Sequence, residues 1–187
     1  MKILALAGKR KSGKTYSAEK FIEVAALHGH TFRKVSFATE LRKQFAETKG
    51  IVPSLLTENF AKEEYREQLL EYAKNIKKTD PKYFIKCLFD SILDYESVVI
   101  DDLRFIEEFE EIYKRGGVIY KVEADIAVLQ SRGWKYTPEI DDDTGETELG
   151  GASVSVFSPY GGYFYNNEFG DVKLKKELNF IFTKHFK

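Results

Sequence analysis

The chain has 187 residues, of which 43% are hydrophobic, enough to fill the core of one compact domain. Its 29 Lys and Arg residues balance 30 Asp and Glu residues to a formal net charge of −1, which argues against a protein that coats nucleic acid. The single cysteine, Cys87, excludes an internal disulfide, and no apolar run is long enough to span a membrane. We therefore expect a cytoplasmic protein of one domain, 1–187.

Short apolar segments alternate with amphipathic helical segments along the chain. Strands are predicted at 3–7, 34–37, 97–102, 118–122 and 163–165. Helices are predicted at 14–27, through Leu41 and Phe45, within 58–78, after Pro81, at 105–114, after Asp125 and at 172–186. This alternation predicts an α/β fold of three layers with a central parallel sheet. Residues 134–159 lack periodicity, and we interpret about 132–159 as a lid.

The first predicted strand runs directly into a phosphate-binding motif that opens the first predicted helix. The motif is GxxxxGK[ST], formed by Gly8, Lys9, Arg10, Lys11, Ser12, Gly13, Lys14 and Thr15. Backbone N–H groups of such a loop and the positive end of the helix hold the phosphates of ATP. Lys14 is expected to contact the β- and γ-phosphates, and Thr15 to hold Mg²⁺. The motif predicts a P-loop nucleotide-binding fold with ATP and Mg²⁺ as cofactors.

Two aspartates end the apolar strand at 97–102. Asp101 and Asp102 occupy the place of the acid that supports Mg²⁺ in P-loop proteins, and the sequence does not separate the two. The alternative is that they pair with Arg104 as plain strand-end carboxylates.

Several cations follow or flank the predicted strand ends, where ligands of open parallel sheets bind. Arginine suits a phosphate because its planar guanidinium binds bidentately. The candidates for holding a phosphorylated acceptor are Arg42, Lys62, Arg66 and Arg104. Arg132, where the lid begins, is a candidate for stabilising charge on the transferring phosphoryl group, together with Lys14 and Arg104. For each of these cations a solvated surface charge is the alternative.

The chain resembles two related kinase families. Segments 8–14, 80–84 and 132–142 resemble the animal-type phosphomevalonate kinases. The chain is also similar to phage-type deoxynucleoside monophosphate kinases at 36–38, 41–42, 101–105 with Glu108, 146–149, and Asn167 with Gly170. Both resemblances imply a nucleoside-monophosphate-kinase-like fold with a helical acceptor-binding region and a lid. They imply that Arg42, Lys62, Arg66 and Arg104 face the acceptor phosphate and that Arg132 belongs to the lid.

Departures from the phosphomevalonate kinase pattern decide the order of the hypotheses. Phe105 and the stretch 128–131 stand where that family tends to carry further arginines. Our first hypothesis is therefore transfer of the γ-phosphoryl group of ATP to a deoxynucleoside monophosphate, and the second is a phosphomevalonate kinase with the same mechanism. A kinase of a modified base in DNA and a non-catalytic nucleotide-binding module are the remaining alternatives. The sequence does not predict the oligomeric state.

Overall fold

The computed structural model describes residues 1–57, 64–168 and 170–187. The strands are β1 (Lys2–Ala7), β2 (Arg33–Val35), β3 (Ser97–Leu103), β4 (Val118–Glu123) and β5 (Gly161–Tyr165). The helices are α1 (Lys14–Leu27), α2 (Ala38–Lys49), α3 (Arg66–Thr79), α4 (Tyr83–Asp90), α5 (Ile106–Lys114), α6 (Ile126–Ser131), α7 (Pro138–Asp141), α8 (Thr144–Thr147) and α9 (Val172–His185). Pro53–Thr57 and Val154–Val156 form 3₁₀ turns.

The five strands form one sheet in the order β2-β3-β1-β4-β5, and every neighbouring pair is parallel. β1, the central strand, is apolar along almost its whole length and buried from Ile3 to Ala7, as a strand covered on both faces must be. The prediction of an α/β fold with a central parallel sheet is confirmed.

Helices cover both faces of this sheet. Leu4 and Leu6 of β1 pack in a core cluster that includes residues of α1 and α9. Ile3 alternates with them and therefore points to the opposite face, where it lies beside Ile112 of α5, both close to Gly117. The layers are thus helix, sheet and helix.

The chain forms two compact units. Residues Met1–Val35 and Leu93–Lys187 make the first unit, which contains the sheet, and Ser36–Ile92 make the second. The second unit has its own small core, in which Phe45 meets the rings of Tyr65 and Tyr72 edge-on. The assignment of 1–187 to a single domain stays a prediction.

The segment 134–159 differs most from its predicted character. It contains the short helices α7 and α8 and a 3₁₀ turn, whereas its sequence showed no periodicity. Asp143 begins α8 by accepting a hydrogen bond from the Gly145 amide, 2.9 Å away.

Among the helices of the described residues, none is both long enough and apolar enough to cross a membrane.

Candidate active site

The register of the sheet brings the phosphate-binding loop beside the end of β3. Ala7, the last residue of β1, pairs with Leu103, the last residue of β3. Gly8 and Arg104 therefore leave the same edge of the sheet as neighbours. This edge is the carboxyl end of the parallel strands, the usual place for a ligand in such folds.

A register shift between β1 and β3 lies at the two aspartates. Ala5 pairs with Ile100 but Ala7 pairs with Leu103, so β3 carries one extra residue at Asp101 and Asp102. Bulges of this kind redirect side chains and are common next to active sites. Both aspartates are at least nine-tenths buried. The sequence predicted these residues at a strand end but not the bulge, which depends on pairing with a distant strand.

The fit of these residues to Mg²⁺ rests on the chemistry of the donors. The described residues contain no group of three or more acidic, histidine or cysteine side chains arranged for a metal ion. Mg²⁺ in phosphoryl-transfer enzymes needs no such group, because phosphates and water supply most of its ligands. A hydroxyl at Thr15 in the first turn of α1 and one carboxylate from Asp101 or Asp102 suit that mode of binding.

The phosphate-binding loop needs glycine at both glycine positions of the motif. A Cβ on Gly8 would lie 2.3 Å from the carbonyl oxygen of Val122, and one on Gly13 would lie 2.1 Å from the amide nitrogen of Asn166. Lys11 adopts a left-handed conformation with φ of 65°, which costs a non-glycine residue about 1–2 kcal/mol. The loop therefore needs contacts from outside to keep this shape.

The ammonium group of Lys14 lies against the loop. It donates to the carbonyl oxygen of Gly8 at 2.6 Å and to that of Lys9 at 3.0 Å, and the side chain is largely buried. The lysine predicted to contact phosphate is thus positioned inside the curve of the loop.

Arg10 at the apex of the loop is clamped by the segment after Arg132. Its guanidinium donates to Asp141 Oδ2 at 2.8 Å and to the carbonyl oxygen of Lys135 at 2.7 Å. Asp141 also accepts the indole N–H of Trp134 at 3.0 Å and the amide of Thr137 at 2.7 Å. Burial raises the pKa of Asp141, but these hydrogen bonds outweigh it and leave the pKa below its usual value.

Glu146 joins the loop to the turn that follows β3. Its Oε2 accepts the backbone N–H of Arg10 at 2.9 Å, and its Oε1 pairs with the guanidinium of Arg104. Burial lowers the pKa of Arg104, but the attraction of Glu146 and other carboxylates outweighs it and raises the pKa, so this arginine stays charged. We call Arg10, Arg104, Asp141 and Glu146 the loop clamp.

Arg132 also contacts the loop rather than lying open on the surface. It donates to the carbonyl oxygens of Ser12 at 3.2 Å and of Asn166 at 2.7 Å, and burial lowers the pKa of its guanidinium. The side-chain amide of Asn166, itself buried, donates to the same Ser12 carbonyl at 3.0 Å. Arg132 and Asn166 thus hold the second half of the loop.

The remaining predicted acceptor residues belong to the second unit. Arg42 lies on α2 and Arg66 begins α3, and both side chains are half-buried. Lys62 lies outside the described residues. The acceptor-binding role of all three stays a prediction, as does that of Arg104 in the first unit.

Sequence reasoning gave no individual role to Asp141, Glu146 or Asn166. Asp141 stood in an acidic run, and Glu146 was noted only as part of a family resemblance. Each contacts the loop from more than 120 residues away along the chain, and no local spacing signals such a contact.

The phosphate-binding loop lies between a buried parallel strand and a helix, beside a strand that carries two buried aspartates near its end and is followed by an arginine. This arrangement defines a P-loop phosphotransferase. The profile of the phosphomevalonate kinase family matches residues 6–115, more than half of the chain. The chain therefore belongs to the phosphomevalonate kinase family, whose members are ATP-dependent kinases that act on a phosphorylated acceptor.

Individual proteins are also similar to this chain. A phosphomevalonate kinase of Drosophila melanogaster is 26% identical over 157 residues, which cover 80% of this chain and 82% of the fly protein. The structure of shikimate kinase from Acinetobacter baumannii in complex with shikimate has a TM-score of 0.45 at 11% identity. The match covers 100% of this chain and 95% of the shikimate kinase chain. A sugar kinase from a Janibacter species has a TM-score of 0.43 at 9% identity, with 98% and 92% covered. The family match favours the acceptor hypothesis that the sequence analysis placed second.

Proposed function

We propose that this protein transfers the γ-phosphoryl group of ATP to the phosphate of phosphomevalonate. The observation that carries the proposal is the pairing of Ala7 with Leu103, since it sets the phosphate-binding loop beside Arg104 in a chain of the phosphomevalonate kinase family. The donor phosphates and the acceptor phosphate would then meet at one edge of the sheet.

The reaction needs positioning and charge stabilisation rather than a covalent enzyme intermediate. An oxygen of the acceptor phosphate attacks the γ-phosphorus of ATP, a new P–O bond forms, and the bond to the β-phosphate oxygen breaks to release ADP. The acceptor leaves as a diphosphate. Lys14 would exchange its bonds to the Gly8 and Lys9 carbonyls for bonds to the β- and γ-phosphates.

Other residues would hold the remaining charges. Thr15 and one of Asp101 and Asp102 would bind Mg²⁺, which neutralises charge on the phosphate oxygens when it is bound. Arg104 would face the acceptor phosphate, and Arg132 would keep the loop in shape and stabilise charge as the phosphoryl group transfers. The family resemblance assigns acceptor binding to Arg42, Lys62 and Arg66 as well, and that role stays a prediction.

The identity of the acceptor is tested by offering alternative substrates separately. Purified protein with ATP and Mg²⁺ is offered phosphomevalonate or each deoxynucleoside monophosphate, and ADP release is measured. We expect release with phosphomevalonate, together with a diphosphate product in the phosphorus NMR spectrum. Release with a deoxynucleoside monophosphate alone would restore the first hypothesis, and release with none would favour a nucleotide-binding module.

The loop is tested by Lys14→Ala. Loss of a preorganised charge on the transferring group lowers kcat by about a hundredfold or more. Lys114→Ala is the matched control, because this lysine lies exposed at the end of α5, and it should retain full turnover. Circular dichroism should show both variants folded. Undiminished turnover in a folded Lys14→Ala variant would refute the role given to Lys14.

A further inference from the structure

Glu146 uses its two carboxylate oxygens on two different parts of the site. One oxygen accepts the Arg10 N–H at the apex of the phosphate-binding loop, and the other pairs with the Arg104 guanidinium after β3. Its side chain is only 5% exposed, so water competes little for either contact. A single buried carboxylate therefore links the loop for the donor to the arginine predicted to meet the acceptor.

Gly145, the residue before Glu146, strengthens this link, whereas Glu148 contacts α5. The carbonyl oxygen of Gly145 accepts a further hydrogen bond from Arg104 Nη1 at 3.0 Å. Glu148 accepts the backbone N–H of Ile106 at 2.6 Å, which attaches the same segment to the first turn of α5. Since hydrogen bonds to charged groups are the strong ones, the Glu146 contacts give a defined geometry rather than a loose association.

The loop has a specific need for such a contact. Lys11, next to Arg10, is held at a positive φ that side-chain-bearing residues rarely adopt. In the turn from Lys9 to Ser12 the Ser12 N–H donates to the Lys9 carbonyl oxygen at 3.2 Å. An external acceptor on the Arg10 N–H fixes the first half of this turn, as Arg132 and Asn166 fix the second half.

We propose that Glu146 is a positioning residue, which sets the phosphate-binding loop and Arg104 at their working separation. It touches neither substrate and acts through these two partners. The proposal rests on the proposed function, because it takes the loop as the ATP site and Arg104 as an acceptor contact.

The test is Glu146→Gln, which keeps the size of the side chain but removes the charge and places an amide toward one partner. We expect ADP to bind about tenfold more weakly by calorimetry and kcat to fall about tenfold or more. Glu148→Gln is the matched control, two residues along the chain. Its ADP affinity and its kcat should stay within about twofold of the wild type, because Glu148 contacts α5. If Glu146→Gln does not fold, Glu146→Asp replaces it, since it keeps the charge and shortens the reach.

A double variant separates positioning from a purely structural role. In an Arg104→Gln background the further loss of kcat from Glu146→Gln should shrink to less than about threefold, because one of the two partners through which Glu146 acts is already gone. A loss of kcat of unchanged size in that background would overturn the proposal. It would also be overturned if the Glu146→Gln single variant kept its ADP affinity and its kcat within about twofold of the wild type. Tighter ADP binding would also overturn it, since Glu146 would then compete with the nucleotide.

The ADP measurement needs no acceptor, and kcat is measured with whichever acceptor the wild type phosphorylates. Failure of the wild type on phosphomevalonate would thus contradict the proposed function without deciding the role of Glu146.

Discussion

Two regions of the first unit are held together by opposite kinds of chemistry. An aromatic cluster lies between α1 and α9, where the rings of Phe21, Phe32, Phe182 and Phe186 meet at centroid distances of 5.2–6.3 Å. The loop clamp is instead made of buried and half-buried charges, which form hydrogen bonds between the loop, the segment after Arg132 and the end of β3. Apolar contacts depend on area and packing, whereas charged contacts depend on geometry. Damage to the first should therefore appear in stability, and damage to the second in activity.

The largest expected effect is the truncation of Phe182. This ring is fully buried, stacks on His28 and meets Phe21, so Phe182→Ala should reduce the free energy of unfolding by about 3–5 kcal/mol. Phe180→Ala is the control, because Phe180 lies two residues away on α9 with 59% of its surface exposed, and it should cost no more than about 0.5 kcal/mol. Urea denaturation measures both. Equal losses would contradict the assignment of stability to the aromatic cluster.

The next effect is expected at Asp141. Asp141→Asn removes the charge that pairs with Arg10 and should weaken nucleotide binding and turnover by about tenfold, while it lowers the free energy of unfolding less than Phe182→Ala does. Trp134 is the only tryptophan of the chain, and its indole donates to Asp141, so the wavelength of its emission should change.

Asp142→Asn is the control for this prediction. Asp142 is the next residue, is exposed and accepts a hydrogen bond from the Tyr136 hydroxyl at 2.6 Å. Its replacement should leave nucleotide affinity and the Trp134 emission unchanged. If Asp141→Asn behaved like Asp142→Asn, the clamp on Arg10 would have no part in activity.

The two regions also differ in how far the sequence alone predicts them. The helix at 14–27 is confirmed because its apolar spacing and its glycine boundary are local signals. The strand predicted at 34–37 is shorter in the structure, Arg33–Val35, because Ser36 accepts the amide of Thr39 and the chain turns into α2. These elements follow from residues within a few positions of one another.

The loop clamp could not be predicted in this way. Arg10 and Asp141 are separated by 131 positions, and their pairing depends on the whole sheet being assembled between them. Locally, the segment around Asp141 shows an acidic run, several glycines and no periodicity, which predicts a lid rather than a contact with Arg10. The motif thus predicted where phosphate would bind, but not which carboxylates hold the loop in shape.

The smallest expected effect concerns pH at the edge of the aromatic cluster. His185 lies at the end of α9, where its Nε2 is 3.1 Å from the Tyr120 hydroxyl. Burial, with a smaller contribution from the charge of Lys184, lowers the pKa of His185 below that of an unfolded histidine, about 6.5. The neutral ring is therefore favoured in the folded state.

The sign of the pH dependence follows from this lowered pKa. The contribution of His185 to stability is present above the unfolded pKa and is lost as the pH falls through the folded pKa. Between pH 7.5 and 5.5 the thermal unfolding midpoint of the wild type should fall more than that of His185→Gln, by no more than about 2 °C. Midpoints that change in parallel for the two proteins would show that His185 is equally hydrated in the folded and unfolded states. Because Phe186, the next residue, packs in the aromatic cluster, a confirmed shift would place the boundary between that cluster and solvent at the last turn of α9.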